Sequence, residues 1–181
     1  MTKKSIKLNA SNIININKNL DQEITKNCHI IRVENVMSNK AIKAGQGSGK
    51  DLKALYNYIQ QLREKRIKIK GIKQYLNMGI TTFDYEAFKK TNYYAIFAAC
   101  EAKETIAQLK MIPTLNPTTK AQKGLKNMAK KETFTSAKIA QLIHEQQLLA
   151  NKYDKMLEDF NNNTSIDITS VSDDYEFELA A

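Results

Sequence analysis

The chain has 181 residues, 42% of them hydrophobic and none of them tryptophan, and carries 28 Lys and Arg against 19 Asp and Glu for a formal charge of +9. That length suits one domain with a modest core and extended arms, and is too short for a comfortable two-domain enzyme. Met1-Thr2-Lys3-Lys4-Ser5-Ile6-Lys7 has no apolar run behind it, and the uncharged stretch Tyr93 to Cys100 falls far below the roughly 18 residues of a membrane span, so a soluble chain without a secretion signal is expected.

Residues 1–49 are polar, with Asn at positions 9, 12, 15, 17, 19, 27, 35 and 39, and their apolar residues fall in short alternating patches: Ile6 and Leu8, Ile14 and Ile16, Ile31 and Val33. This predicts an extended arm that a sheet edge or a partner groove must accept. Gly45-Gln46-Gly47-Ser48-Gly49 predicts a hinge, with Ser48 and Asp51 as a capping box that opens a first long helix over about 50–77. Leu52, Leu55, Ile59, Leu62 and Ile69 form a helical stripe interrupted by Arg66. Gly71 predicts a weak or kinked turn, and Arg66 to Lys70 alternates strictly enough for a strand to compete.

Asn77-Met78-Gly79 predicts a helix stop with glycine in the left-handed conformation, and Thr81 with Asp84 caps a second long helix over about 82–112. Phe83, Ala87, Phe88, Tyr94, Phe97, Ala98, Ile106 and Leu109 give that helix the most aromatic face, and Pro113 ends it. A short basic helix is expected over 119–131, with Lys120, Lys123, Lys126, Lys130 and Lys131. A third long helix runs from near Ser136 to about Phe160. Its positions Ile139, Leu142, Gln146, Leu149, Tyr153, Met156 and Phe160 follow a heptad alternation. The same spacing serves an intramolecular bundle or a self-associating coiled coil, in which Gln146 helps to set the register. The expected fold is therefore mainly α: a helical bundle or hairpin core of three long helices over 50–160, an arm and Gly hinge over 1–49, and a tail over 161–181.

Charge is distributed unevenly. Residues 1–160 hold all 28 bases and 14 acids, whereas 161–181 hold five acids and no base. In the tail Ile166 and Ile168, and later Tyr175, Phe177 and Leu179, alternate as a bound strand would, and Asp173, Asp174, Tyr175, Glu176 and Phe177 are the candidate partner-binding residues. A basic body of this kind suits a nucleic-acid backbone, an acidic protein surface or its own tail. The strongest cationic cluster is Arg63, Lys65, Arg66, Lys68, Lys70 and Lys73, a candidate contact for nucleic acid or an acidic partner. Of all the bases only Arg32, Arg63 and Arg66 are arginine, which favours non-specific electrostatics over bidentate reading of guanine.

Three motifs suggest chemistry and weaken on inspection. Gly45 to Asp51 approaches a phosphate-binding loop, but three residues rather than four separate its outer glycines, and Asp51 rather than Ser or Thr follows Lys50. A helix-turn-helix centred on Gly79 would use Thr82 to Lys90 for recognition; Tyr75 is too large for its close helix crossing, and Asp84 and Glu86 repel phosphate. Cys28 beside His29 invites a nucleophile and base, yet adjacent residues seldom face one another. Cys28 and Cys100 read as free thiols, and His29 and His144 are too few and too distant for a metal site, so neither metal, cofactor nor catalysis is expected.

The sequence thus points to a non-catalytic structural or assembly protein whose termini reach neighbouring subunits or other proteins, located inside a cell or within a virus particle. Its wealth of Lys, Asn and Ile suits a phage or virus component of an A/T-rich host. The alternative is a nucleic-acid-binding protein, through the basic cluster or through a divergent helix-turn-helix.

Overall fold

A computed structural model describes residues 7–37, 41, 44–115 and 132–165. The chain is mainly helical, with α1 over Ala10–Glu34, α2 over Leu52–Asn77, a single turn α3 over Tyr85–Phe88, α4 over Asn92–Lys110 and α5 over Ser136–Asn163. Four of these are long where three were expected, because the predicted N-terminal arm is a helix. Asn9 and Asn12 open α1 as a reciprocal capping box. Ile13, Leu20, Ile24 and Ile31 then bury one face. Five asparagines within α1 each cost about 0.7 kcal/mol of helix propensity. The four buried aliphatic residues return about 2 kcal/mol each, so tertiary burial decides the conformation. The alternating patches were real in the sequence, but the longer 3.6-residue stripe overrides them.

α1 and α2 form an antiparallel hairpin. The Gly45–Gly49 hinge turns through two positive-φ glycines, Gly45 and Gly49. Ser48 does not take part in the expected capping box; its backbone N–H and hydroxyl bond the Glu34 carboxylate at the end of α1. Asp51 alone caps α2, accepting from the amides of Lys53 and Ala54. The helix continues unbroken past Gly71, which removes the strand alternative. An added Cβ at Gly71 would lie 2.5 Å from the Phe88 ring, so the glycine makes a slot for that fully buried phenylalanine. The predicted stop is present: Gly79 has φ +74°, with Ile80 N–H donating to Tyr75 O and Gly79 N–H to Leu76 O, the two bonds of a Schellman cap.

The expected helix over 82–112 is broken in two. Asp84 caps only the turn Tyr85–Phe88, and Thr91 restarts the chain as N-cap of α4. Phe88, driven into the Gly71 slot and surrounded by Tyr75, Phe83, Tyr94 and Phe97, fixes the break. α4 and α5 form the second antiparallel hairpin. Ala95, Ala98, Ala99 and Ala102 on α4 and Ala150 on α5 are buried, small enough for the two helices to approach closely. A core of Leu20, Ile24, Leu55, Ile59, Leu62, Leu109, Phe134, Ile139 and Leu142 joins the hairpins. Asn35, buried at the end of α1, pins them: its amide donates to the carbonyls of Pro113 and Phe134, and its side-chain oxygen accepts from Phe134 N–H. The predicted basic helix over 119–131 and most of the acidic tail lie outside the described residues.

Candidate interaction surfaces

The cationic run divides into buried and exposed members. Arg63, Arg66 and their common partner Glu101 on α4 are 3%, 5% and 4% exposed. Arg63 donates to Glu101 at 3.0 Å and lies 3.3 Å from Glu104. Arg66 donates through Nε to Glu101 Oε1 at 2.7 Å and through Nη2 to Glu101 Oε2. It also reaches Glu104 and Asp21, each at 2.6 Å, and Lys70 adds a bond to Glu101 at 3.1 Å. Burial pushes the Glu101 carboxyl up, but the hydrogen bonds of Arg66 and the charges of Arg66 and Lys70 outweigh it and leave the group below the ordinary carboxylate range. Arg66 is pulled down by burial and up by Glu101 and Asp21, ending above its ordinary value. Three cations on α2 therefore meet three carboxylates from α1 and α4. The network locks the α1–α2 hairpin to α4, and it withdraws both arginines of the cluster from any external partner.

Lys65, Lys68 and Lys73 remain exposed. Lys65 and Lys68 edge a groove of about 960 Å³ between α1 and α2. Its floor is apolar: Leu8, Ile13, Ile16 and Leu20 from α1, Ile69, Ile72, Tyr75 and Leu76 from α2, and Ile80 and Phe83 beyond. Lys7 supplies a third cation, and among the described residues no carboxylate lines the groove. Lys68 Nζ lies 5.2 Å from the Tyr85 ring centroid, and the Tyr85 hydroxyl donates to Glu64. The sequence reading missed this groove because one of its walls was taken for an arm.

The heptad positions of α5 also divide. Ile139 and Leu142 are buried, while Gln146 and Tyr153 are half-buried, Tyr153 edge-on to Tyr94 with ring centroids 5.9 Å apart. Leu149, Met156 and Phe160 are exposed by 41%, 38% and 42%. The helix runs on past the start of α4, which its Tyr94–Tyr153 contact places about 15 Å before the end of α5. The apolar stripe therefore continues where the described residues no longer cover it. Residues Asp173, Asp174, Tyr175, Glu176 and Phe177, named from sequence as a binding tail, lie outside the described residues.

Thr82 to Lys90 supplies one helical turn rather than a recognition helix. Burial pushes the Cys28 thiol up against the lowering effect of Arg63, and His29 Nδ1 lies 3.0 Å from the Arg32 guanidinium. Among the described residues no group of three or more His, Cys, Asp or Glu is placed to hold a metal ion, and no helix is long and apolar enough to cross a membrane. No family model, curated protein or solved structure matches the chain.

Glu101 is the residue that sequence reasoning passed over. Its signal was available: it is the one carboxylate in the small-residue run Ala98 to Ala102, on the face that α4 must bury. A lone acid on a buried helical face demands a cation, and the arginines interrupting the α2 stripe are the natural suppliers.

Proposed function

We propose that the chain is a non-catalytic structural or assembly protein that self-associates through the C-terminal half of α5. The observation that carries this reading is the exposure of Leu149, Met156 and Phe160 in line with the buried Ile139 and Leu142. Apolar residues sustained at heptad spacing beyond the intramolecular core are suited to burial against another helix. Within this reading a phage or virus particle is the setting that the Lys-, Asn- and Ile-rich composition favours. The test is native mass by light scattering at low and high salt, for the parent and for Met156→Ser/Phe160→Ser. The parent should remain an oligomer at high salt while the variant falls to lower mass with unchanged helicity. A parent that is monomeric at every concentration removes the reading.

Non-specific nucleic-acid binding is the second reading, supported by the exposed Lys65, Lys68 and Lys73 and by the lysines of 118–131. Its α2 contribution is smaller than the sequence implied, since Arg63 and Arg66 are committed to carboxylates. Each phosphate contact contributes about 0.9 to the logarithmic salt slope, so neutralising the three exposed lysines should lower it by about 3. An unchanged slope removes α2 from any such interface.

A further inference from the structure

We propose that the groove between α1 and α2 is the seat of the chain's own acidic tail, residues 166–181. The groove pairs an apolar floor, in which Ile13, Ile16, Ile69 and Ile72 take part, with a cationic edge of Lys7, Lys65 and Lys68 and, among the described residues, no acid. Among the described residues neither Lys7 nor Lys65 has an ion-pair partner. The tail has the complementary pattern: Asp167, Asp173, Asp174, Glu176 and Glu178 are interleaved with Ile166, Ile168, Tyr175, Phe177 and Leu179, and it holds no base. An apolar surface edged by one sign of charge selects a segment that alternates apolar residues with the opposite sign.

Connectivity places the two within reach. The start of α1, the end of α2, the start of α4 and the end of α5 share one end of the molecule, as the antiparallel hairpins require. The groove reaches that end, since Leu8 before α1 and Leu76 and Ile80 at and beyond the end of α2 are among its lining residues. Sixteen residues after Ser165 extend to about 50 Å, whereas the helical stretch Lys65 to Leu76 measures about 17 Å. A tether this short holds the tail at a millimolar effective concentration, which favours a molecule's own groove over a neighbour's at ordinary protein concentrations. The contact does not depend on self-association through α5. In an assembly the same contact can be exchanged between copies, as in domain swapping.

Absence of tryptophan from the chain allows a single reporter: the full-length protein with Phe177→Trp. The indole should emit to the blue of its position in urea and resist acrylamide several-fold better than in the unfolded chain. This protection should be unchanged on dilution and should fall as salt is raised toward 1 M, where the screening length is about 3 Å. Adding Lys65→Glu/Lys68→Glu should abolish it while circular dichroism stays native, and further adding Asp173→Lys/Asp174→Lys should restore it. An indole as accessible in the native protein as in urea, or one still protected after the lysine reversals, overturns the proposal. Protection that disappears on dilution assigns the groove to a neighbour's tail and overturns the intramolecular arrangement. Light scattering on the same samples reports the α5 contact separately, so loss of either leaves the other readable.

Discussion

Replacing Glu101 by alanine is the most demanding test of how the arginines are held. Glu101→Ala removes the acceptor for Arg63 Nη1 at 3.0 Å, for Arg66 Nε at 2.7 Å and Nη2, and for Lys70 at 3.1 Å. Three cations are then left with Asp21 and Glu104. Breaking a buried pair by deleting one partner costs about 3–5 kcal/mol, because the surviving charge stays desolvated. Glu104 still reaches both arginines and Asp21 still binds Arg66, so the cost belongs at the lower end, about 3 kcal/mol. Against a total stability of about 5–15 kcal/mol that is a large fraction. With a urea m-value of about 2 kcal/mol/M the unfolding midpoint should fall by about 1.5 M. Replacing the group as a unit, with Glu101→Leu, Arg63→Met and Arg66→Leu together, should recover most of the loss, since well-packed apolar substitutes are often neutral or better. A Glu101→Ala unfolding free energy within about 0.5 kcal/mol of the parent's would refute the reasoning. The arginines would then be solvated, and the nucleic-acid reading would regain its two best donors.

Gly71→Ala gains about 1 kcal/mol of helix propensity but drives a methyl into the Phe88 ring, an overpacking cost of about 1–3 kcal/mol; net destabilisation of about 1 kcal/mol is expected in urea melts, and a stabilised variant would mean that Phe88 is free to move. The Glu101 carboxyl is lowered by folding, so its contribution is fully present above the ordinary value of 4.5 and is lost as pH falls through the lowered folded value. Between the parent and Glu101→Gln, the difference in stability should therefore shrink on acidification below about pH 4.5; a constant gap from pH 7 to pH 2 would contradict the assignment. Exposed Cys100 should be alkylated in the native protein well before Cys28, whose thiol is half-buried and raised by burial, and equal rates would show that the α1–α2 seam opens readily.

The parts of the fold that were legible share a local cause. Gly79 announces its cap because only a left-handed residue completes the Schellman bonds, and the stripe of α2 repeats often enough to outvote Gly71. The start of α5 was equally clear, since Thr135 accepts from Lys138 N–H and the apolar repeat begins within one turn. What was not legible depends on contacts distant in sequence. α1 is a helix because α2 and the core bury its isoleucines, despite five asparagines that local propensity counts against it. The break at 89–91 reflects Phe88 entering a slot made 17 residues earlier by Gly71. Each depends on a partner surface that no window of the sequence contains.

The same dependence changes the meaning of the charge. Counted along the chain, Arg63 to Lys73 is a block of six bases with one acid, and the body looks ready for any polyanion. In the fold, helical geometry turns Arg63, Arg66 and Lys70 toward α4, where they meet Glu101 and Glu104, while Lys65 and Lys68 face the groove formed with α1. One sequence feature thus becomes two devices with different physics. The buried set is paired with carboxylates, little screened by salt and costly to break by removing one partner. The exposed set is weakly held, sensitive to salt and next to apolar surface. A polyphosphate backbone would use only the lysines and leave the apolar floor wet, whereas an alternating acidic and apolar segment uses both. The proposed occupant, the tail, has that pattern: its five acids alternate with or adjoin apolar residues and it holds no base.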